Sequence, residues 1–276
     1  MIPQALITEW RSQVPWAEDA QVEQDLIISG VLLEIFGEEA ATKGLVFRGG
    51  TALNKLFLQS PSRYSEDIDL VQVEKGPIGP VINPIRNRLK SLFEQSTFKT
   101  KENSVQLLFR FSSEIPPVTQ LRLKVEVNTR EHFSVFPIES RPFSMDSRWM
   151  RGRVEIPTYH IDELMGTKMR ALYQRKKGRD LFDLWEVLER GLVSPDRVVE
   201  CFLSYLDSQG LRVSRAEYEA NLTGKIGDRG FAEDTQPLLA SGSTFDLDGA
   251  FSLVMDTLVS RLPGEPWRGI EGGPGP

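Results

Sequence analysis

The stretch from Leu45 to Leu70 constrains this chain more than any other. Leu45-Val46-Phe47-Arg48 is β-prone and ends in Gly49-Gly50. Thr51-Ala52-Leu53-Asn54-Lys55-Leu56-Phe57 then has helix-forming composition, and Ser65-Glu66-Asp67-Ile68-Asp69-Leu70 follows as a second short strand. A strand that turns into a helix at two glycines leaves backbone unshielded by side chains, and a helix N-terminus there offers N–H groups to a phosphate. The two-residue period of a strand sets Asp67 and Asp69 on one face, about 7 Å apart, with Ile68 and Leu70 on the other. Two such carboxylates suit a hard cation such as Mg²⁺, which takes oxygen ligands and keeps positions for substrate phosphates. Each half also has an ordinary reading, a plain turn or a solvated strand. In this order they describe a phosphate-and-metal site.

At 276 residues the chain has length for one large domain or two modest ones. Its 40% hydrophobic and 26% charged residues are those of a globular protein, and a net charge of −6 argues against blanket attraction to nucleic acid. A polyanion partner must therefore meet a local patch. Between Arg141 and Arg179 ten Lys/Arg stand against four Asp/Glu, a balance of +6, while the remaining 23 basic and 35 acidic residues leave −12 elsewhere. The one cysteine, Cys201, lies in an apolar run and is expected to be a buried thiol; it excludes an internal disulfide and a multi-cysteine zinc site. His132 and His160 are not at ligand spacing from one another, which counts against zinc hydrolase chemistry. No cationic start precedes an apolar core, and no apolar stretch is long enough to cross a bilayer. The expectation is a cytoplasmic protein with no membrane partner.

Along the chain, apolar residues recur at helical spacing from Ala17 to Phe36, with Glu23 and Asp25 expected on the solvated face and Gly37 as a stop. A further helix is expected over Ile82 to Gln95. Val105–Phe111 and Leu121–Asn128 read as strands. The second alternates strictly, with Leu121, Leu123, Val125 and Val127 opposed by Arg122, Lys124 and Glu126. Glu126 is a third candidate carboxylate if this strand lies beside that of Asp67 and Asp69; otherwise it is a surface residue paired with Lys124 or Arg122. Residues 129 to 152 are irregular and aromatic-rich. From Ile161 onward helix-compatible segments dominate, punctuated by glycines. The expected division is 1–157 for a sheet-bearing core, 158–262 for a helical domain and 263–276 for a flexible tail.

A second constellation spans Lys168 to Trp185. Lys168 and Arg175, seven residues apart, share a helix face, and Asp180 and Asp183 share a face of the next helix. A lysine and aspartates meeting across a helix hairpin can bind triphosphate and orient a hydroxyl, or can be an ion-pair network that locks the hairpin. On these residues alone the structural reading leads.

Taken together, Phe47-Arg48-Gly49-Gly50-Thr51-Ala52-Leu53, Arg63-Tyr64-Ser65-Glu66-Asp67-Ile68-Asp69-Leu70, Lys124-Val125-Glu126-Val127-Asn128 and the Lys-x-x-Ala-x-x-x-Arg-x-x-x-Arg-Asp-x-x-Asp-Leu pattern from Lys168 to Leu184 resemble the AbiEii/AbiGii toxin nucleotidyltransferases of type IV toxin-antitoxin and phage-abortive systems. The resemblance covers roughly residues 20 to 190. It implies an α+β fold: a polymerase-β-like nucleotidyltransferase core with a mixed sheet, followed by an all-helical C-terminal domain. It further implies that Gly49, Gly50 and Thr51 hold the nucleotide phosphates and that Asp67, Asp69 and Glu126 ligate Mg²⁺. Lys168 and Arg175 would contact the triphosphate, and the terminal aspartate role would fall to Asp183 or Asp180. The spacing of Gly50 and Asp67 is longer than in typical members of the wider superfamily. The implied substrates are a nucleoside triphosphate and an RNA acceptor, foremost the tRNA 3′ end, with a functional antitoxin partner whose direct binding stays open. The resemblance moves the Lys168–Asp183 hairpin from structural network to site, and makes the 141–179 stretch the RNA-facing side. Two other readings remain. One is transfer to a small-molecule or protein hydroxyl, and the other is a nucleotide-binding module with little catalysis.

Overall fold

The computed structural model describes residues 2–37, 44–90, 92–93 and 95–269. The expected tail from 270 onward, and Ser91 and Glu94 of the expected second helix, lie outside the described residues. Contacts divide the chain into two units, Met1–His160 with Leu239–Ser243, and Ile161–Leu238 with Thr244–Pro276.

The first unit is built on a mixed seven-stranded sheet ordered β3-β4-β5-β2-β1-β7-β6. Its strands are β1 (Leu45–Arg48), β2 (Asp67–Gln72), β3 (Gln95–Thr100), β4 (Ser104–Ser112), β5 (Gln120–Asn128), β6 (Glu139–Asp146) and β7 (Arg151–Thr158). β2 runs parallel to β5 and antiparallel to β1, and β1 meets β7 in parallel, where the Thr158 hydroxyl donates to the Phe47 carbonyl at 2.7 Å. The alternation read in β5 buries Leu123, Val125 and Val127, and the same period buries Ile68 and Leu70 of β2.

Against β5, β6 and β7 lies α2 (Asp19–Phe36), opened by a capping box of Glu18 and Gln21, and α1 (Gln4–Trp10) packs on α2. Here the expected solvated face is wrong. Glu23 and Asp25 are both buried. Asp25 receives the Trp10 indole N–H from α1 at 2.9 Å and the Lys55 ammonium at 2.8 Å, while Glu23 accepts the Glu114 backbone N–H at 2.9 Å. The α1 segment and the β4–β5 loop cover the face that the helical period leaves for water.

Two other expectations are corrected. The second helix, α4 (Gly79–Leu89), starts three residues before Ile82 and ends before β3 begins. Proline serves in its first turn, where the missing N–H costs nothing. Residues 139–158, within and just after the stretch read as irregular, form the antiparallel β6–β7 hairpin with Phe143 and Met145 turned inward. β3 and β6 are the two edges of the sheet, and their polar composition blunts exposed strand edges while hiding the alternation. The short helix after β1, α3 (Gly49–Ala52), continues as one π-helical stretch over Leu53–Phe57.

Leu239–Ser243 belongs with the first unit. Ala240 N–H donates to the Ser62 carbonyl at 2.8 Å and Ser241 N–H to the Pro15 carbonyl at 2.9 Å.

The second unit is helical: α5 (Ile161–Gln174), α6 (Gly178–Glu189), α7 (Pro195–Asp207), α8 (Arg215–Ile226), α9 (Arg229–Glu233) and α10 (Leu247–Thr257). Buried tyrosines tie these helices together with their hydroxyls satisfied, Tyr205 on Glu163 at 2.8 Å and Tyr218 on the Met169 carbonyl at 2.9 Å. Lys225 of α8 donates to the Leu172 and Tyr173 carbonyls at the end of α5, and burial pulls its pKa down to about 8. Cys201 is fully buried, as expected, and burial pushes its thiol pKa up. Beyond α10, the Pro263 carbonyl accepts the Arg215 N–H at 2.8 Å and the Trp267 N–H donates to Glu219 at 2.6 Å.

Candidate active site

Pairing of β2 with its two neighbours assembles the first cluster. Arg48 of β1 stands opposite Asp69, Asp67 opposite Lys124 of β5, and Asp69 opposite Glu126. Opposed residues share a sheet face, so Asp67, Asp69, Lys124 and Glu126 form one polar face, and the Glu126 pairing required for a third carboxylate is met.

The glycine turn presses against this face. Gly49 has φ +84°, a conformation that favours glycine, and a Cβ placed there would sit 2.5 Å from Asp69 Oδ2. A Cβ on Gly50 would sit 2.6 Å from the guanidinium of the buried Arg63 and 3.0 Å from Ser65 Oγ. Turn and carboxylate therefore form one site at the start of the Gly49–Phe57 helical run. Thr51, placed on the phosphates by resemblance, is 2% exposed, and its hydroxyl is hydrogen-bonded to the Asp67 carbonyl and to Ser65 Oγ at 2.9 Å. In this geometry it ties the helix to the start of β2.

Lys124 is the residue whose importance the sequence understates. Its ammonium lies 3.0 Å from Asp67 Oδ2 and 3.2 Å from Glu126 Oε2, and all three side chains are only a little over a quarter exposed. Glu126 is further held by the Ser104 hydroxyl at 2.8 Å. The charges respond differently to burial. Desolvation raises the pKa of Asp67 and outweighs the attraction of Lys124. For Glu126 desolvation acts in the same direction, but hydrogen bonds from Gln106 and Ser104, together with Lys124, win and lower it. Lys124 loses by desolvation and gains more from Asp67, Asp69 and Glu126, so its pKa is raised. Beside this face, Arg48 pairs with Glu131 at 2.5 Å. Local periodicity puts Lys124 on a polar face and says nothing of Glu131; the strand order is what sets Lys124 opposite Asp67.

Among the described residues no three His, Cys, Asp or Glu side chains converge as a ready-made metal cage. The donors nonetheless fit a hard divalent cation. They are carboxylate oxygens on adjoining strands, beside the open backbone at Gly49, and Mg²⁺ is usually held by one or two carboxylates plus substrate phosphates.

The second cluster, in the helical unit, closes the α5–α6 hairpin. Lys168 Nζ lies 2.8 Å from Asp183 Oδ2 and 3.3 Å from Asp180 Oδ1, while Arg175 grips Asp180 with two hydrogen bonds of 2.6 and 2.7 Å. Asp180 and Asp183 have no exposure, and the Lys168 side chain has 9%. Burial works to raise the pKa of Asp180, but Lys168 and Arg175 overcome it and hold the carboxyl below its ordinary value. The Arg175 side chain, half exposed, is the part of this cluster that reaches solvent.

The basic stretch from 141 to 179 is not a continuous cationic stripe. It is shared between the two units, and at least eight of its ten cations are paired with carboxylates: Arg141, Arg148 and Arg151 in the first unit, and Lys168, Arg175, Lys176, Lys177 and Arg179 in the second. Arg170 lies over the Tyr205 ring, and Arg153 is exposed. Acids from outside the stretch, among them Glu9, Asp228 and Asp234, supply most of the pairing, so a linear charge count overstates the local field.

The family profile described as "Nucleotidyl transferase AbiEii toxin, Type IV TA system" matches residues 31–253. The chain belongs to the AbiEii nucleotidyltransferase toxin family. Both clusters fall within the matched residues, and the mixed sheet with its helical unit is the nucleotidyltransferase fold that the family implies. Among solved structures, the MenT4 nucleotidyltransferase toxin of Mycobacterium tuberculosis H37Rv is similar with a TM-score of 0.63 at 17% identity, over 95% of this chain and 91% of that one. A protein of H. pylori described as a candidate nucleotidyltransferase gives a TM-score of 0.54 at 16% identity, over 88% and 96%. These likenesses concern the fold. No curated protein sequence matches the chain. No helix among the described residues is long and apolar enough to cross a membrane.

Proposed function

We propose that this AbiEii-family protein transfers a nucleoside monophosphate from a nucleoside triphosphate to a hydroxyl at the 3′ end of tRNA in the cytoplasm, and that the blocked end halts translation. The observation that carries this reading is the contact of Gly49 with the Asp69 carboxylate, which makes a phosphate turn and a metal-binding face one site. The acceptor oxygen forms a bond to the α-phosphorus in line with the breaking bond to the bridging oxygen, and pyrophosphate leaves.

Each group has a role in this reading. Asp67, Asp69 and Glu126 hold Mg²⁺, with the Ser104 hydroxyl positioning Glu126. When bound, the ion supplies charge neutralisation at the attacking and leaving oxygens. Gly49 and Gly50 admit the phosphates to bare backbone, and Thr51 fixes the helix relative to β2. Lys168 and Arg175 contact the triphosphate, held in position by Asp180 and Asp183. The antitoxin of the type IV system is the functional partner.

The neutralised basic stretch removes one argument for RNA over a small hydroxylated acceptor, so the acceptor is what the experiment must decide. Purified protein is incubated with total tRNA, Mg²⁺ and each labelled nucleoside triphosphate in turn. Label on tRNA with the wild-type chain but not with Asp69→Ala supports the proposal. Label confined to small acceptors replaces tRNA by that class, and nucleotide binding with no transfer leaves a binding module. In cells, expression of the wild-type chain should slow growth and Asp67→Ala should relieve it; equal toxicity of the two would separate toxicity from the chemistry.

A further inference from the structure

The polar face of β2 and β5 already contains a cation of its own. Three carboxylates, Asp67, Asp69 and Glu126, lie in register on two neighbouring strands, and mutual repulsion would open such a face unless a counter-charge sat among them. Lys124 meets that need from within the same ladder, with Nζ within 3.2 Å of one carboxylate on either strand. Its stem is a flexible four-carbon chain and its side chain is 28% exposed, so the ammonium has a route to water that needs no backbone movement.

We propose that Lys124 is a resident counter-cation that a divalent ion must displace from Asp67 and Glu126. This positioning residue keeps the carboxylates aligned while the site is idle, and it lowers their affinity for free divalent metal. Loading then becomes favourable when the metal arrives with the extra ligands and charge of nucleotide phosphates. The inference rests on the reading of this face as a divalent-cation site. It concerns what the metal competes with, not which acceptor is modified.

The test uses the full chain and Mn²⁺ alone, without nucleotide, following free Mn²⁺ by electron paramagnetic resonance. Lys124→Met keeps the stem and removes the charge, and it should bind Mn²⁺ about tenfold more tightly than wild type, the scale expected from deleting one competing charge interaction. Lys124→Gln should behave alike, and provides the measurement if the methionine variant does not fold. Equal or weaker binding in the variants overturns the proposal while leaving the metal site standing. Absence of binding in every protein, wild type included, overturns the divalent-cation reading itself. A second readout needs no variant. Acetylation of Lys124 by an amine-reactive ester, quantified by peptide mass spectrometry, should rise several-fold when Mn²⁺ is added to wild-type protein. An unchanged rate means that the ammonium is not displaced.

Discussion

Two lysines in this molecule each sit between two carboxylates, and they do so with opposite consequences. On the β2–β5 face, Lys124 pairs with Asp67 and Glu126 at 3.0 and 3.2 Å, in side chains a little over a quarter exposed. Across the α5–α6 hairpin, Lys168 pairs with Asp183 and Asp180 at 2.8 and 3.3 Å, with both aspartates sealed from solvent. Desolvation pushes the carboxyl pKa upward in both places. It prevails at Asp67 and loses at Asp180, which has a second cation, Arg175, in a two-pronged grip. The first arrangement can exchange its lysine for an incoming ion. In the second, Lys168 is shared by two fully buried aspartates, so its loss removes a cation from both at once.

The largest effect that separates the two is on transfer. Asp69→Ala removes an oxygen donor at the glycine turn and is expected to reduce nucleotide transfer by about 10³-fold, the scale of several kcal/mol of transition-state stabilisation. Its melting temperature should stay close to that of wild type, because the Asp69 side chain is only part-buried, whereas Asp180 is fully buried. A variant that melts far below wild type would make Asp69 a structural residue, and the contrast between the clusters would fail.

In the hairpin the order reverses, and stability carries the signal. Lys168→Ala removes the ammonium 2.8 Å from the fully buried Asp183, which should cost about 3–5 kcal/mol in urea unfolding. Arg175→Ala, at a half-exposed side chain, should cost about 1 kcal/mol or less and still reduce transfer through its phosphate contact. If Lys168→Ala abolishes transfer at wild-type stability, the cluster is catalytic only and its burial is incidental.

Gly49→Ala probes the junction of turn and carboxylate. Positive φ and a Cβ overlapping Asp69 Oδ2 together should cost about 1–3 kcal/mol of stability, with transfer falling further because the Asp69 carboxylate must move. Wild-type transfer in this variant would show that the close approach at Gly49 has no part in the site.

What was legible in the sequence follows from the same physics. β5 could be read because its alternate residues, Leu123, Val125 and Val127, bury one face, and the Asp67–Asp69 pair because period two is local. β3 and β6 could not, since edge strands are kept polar, and Phe98 is the one large apolar residue of β3. Glu23 and Asp25 were misread because a helical period cannot register that α1 and a loop cover the outer face. The same gap explains Lys124, which alternation assigns to a polar face without saying that Asp67 would be opposite. The cationic stretch failed for the converse reason: four of its cations, Arg148, Lys176, Lys177 and Arg179, meet acids far off in the chain, Glu9, Asp228 and Asp234.

The smallest effect is the most direct test of the opposed pKa shifts. The Asp67 pKa is raised on folding, so the carboxyl favours the folded state below its ordinary value near 4, and that contribution is lost as pH rises through the higher folded value. At pH 7 the ionised group opposes folding, and Asp67→Asn should leave stability unchanged or raise it by about 1 kcal/mol or less, the difference disappearing by pH 4. The Asp180 pKa is lowered, so its contribution is present above the ordinary value and disappears as pH falls through the lower folded one. Asp180→Asn should therefore destabilise at pH 7, by more than Asp67→Asn changes anything, with the deficit narrowing in acid. Urea unfolding of both variants in chelator, at pH 7, at pH 4 and at the lowest pH where the fold persists, reads the two signs together. A destabilised Asp67→Asn at pH 7 would mean that the pairing with Lys124 outweighs desolvation, and the sheet-face carboxylate would then be held as firmly as the one in the hairpin.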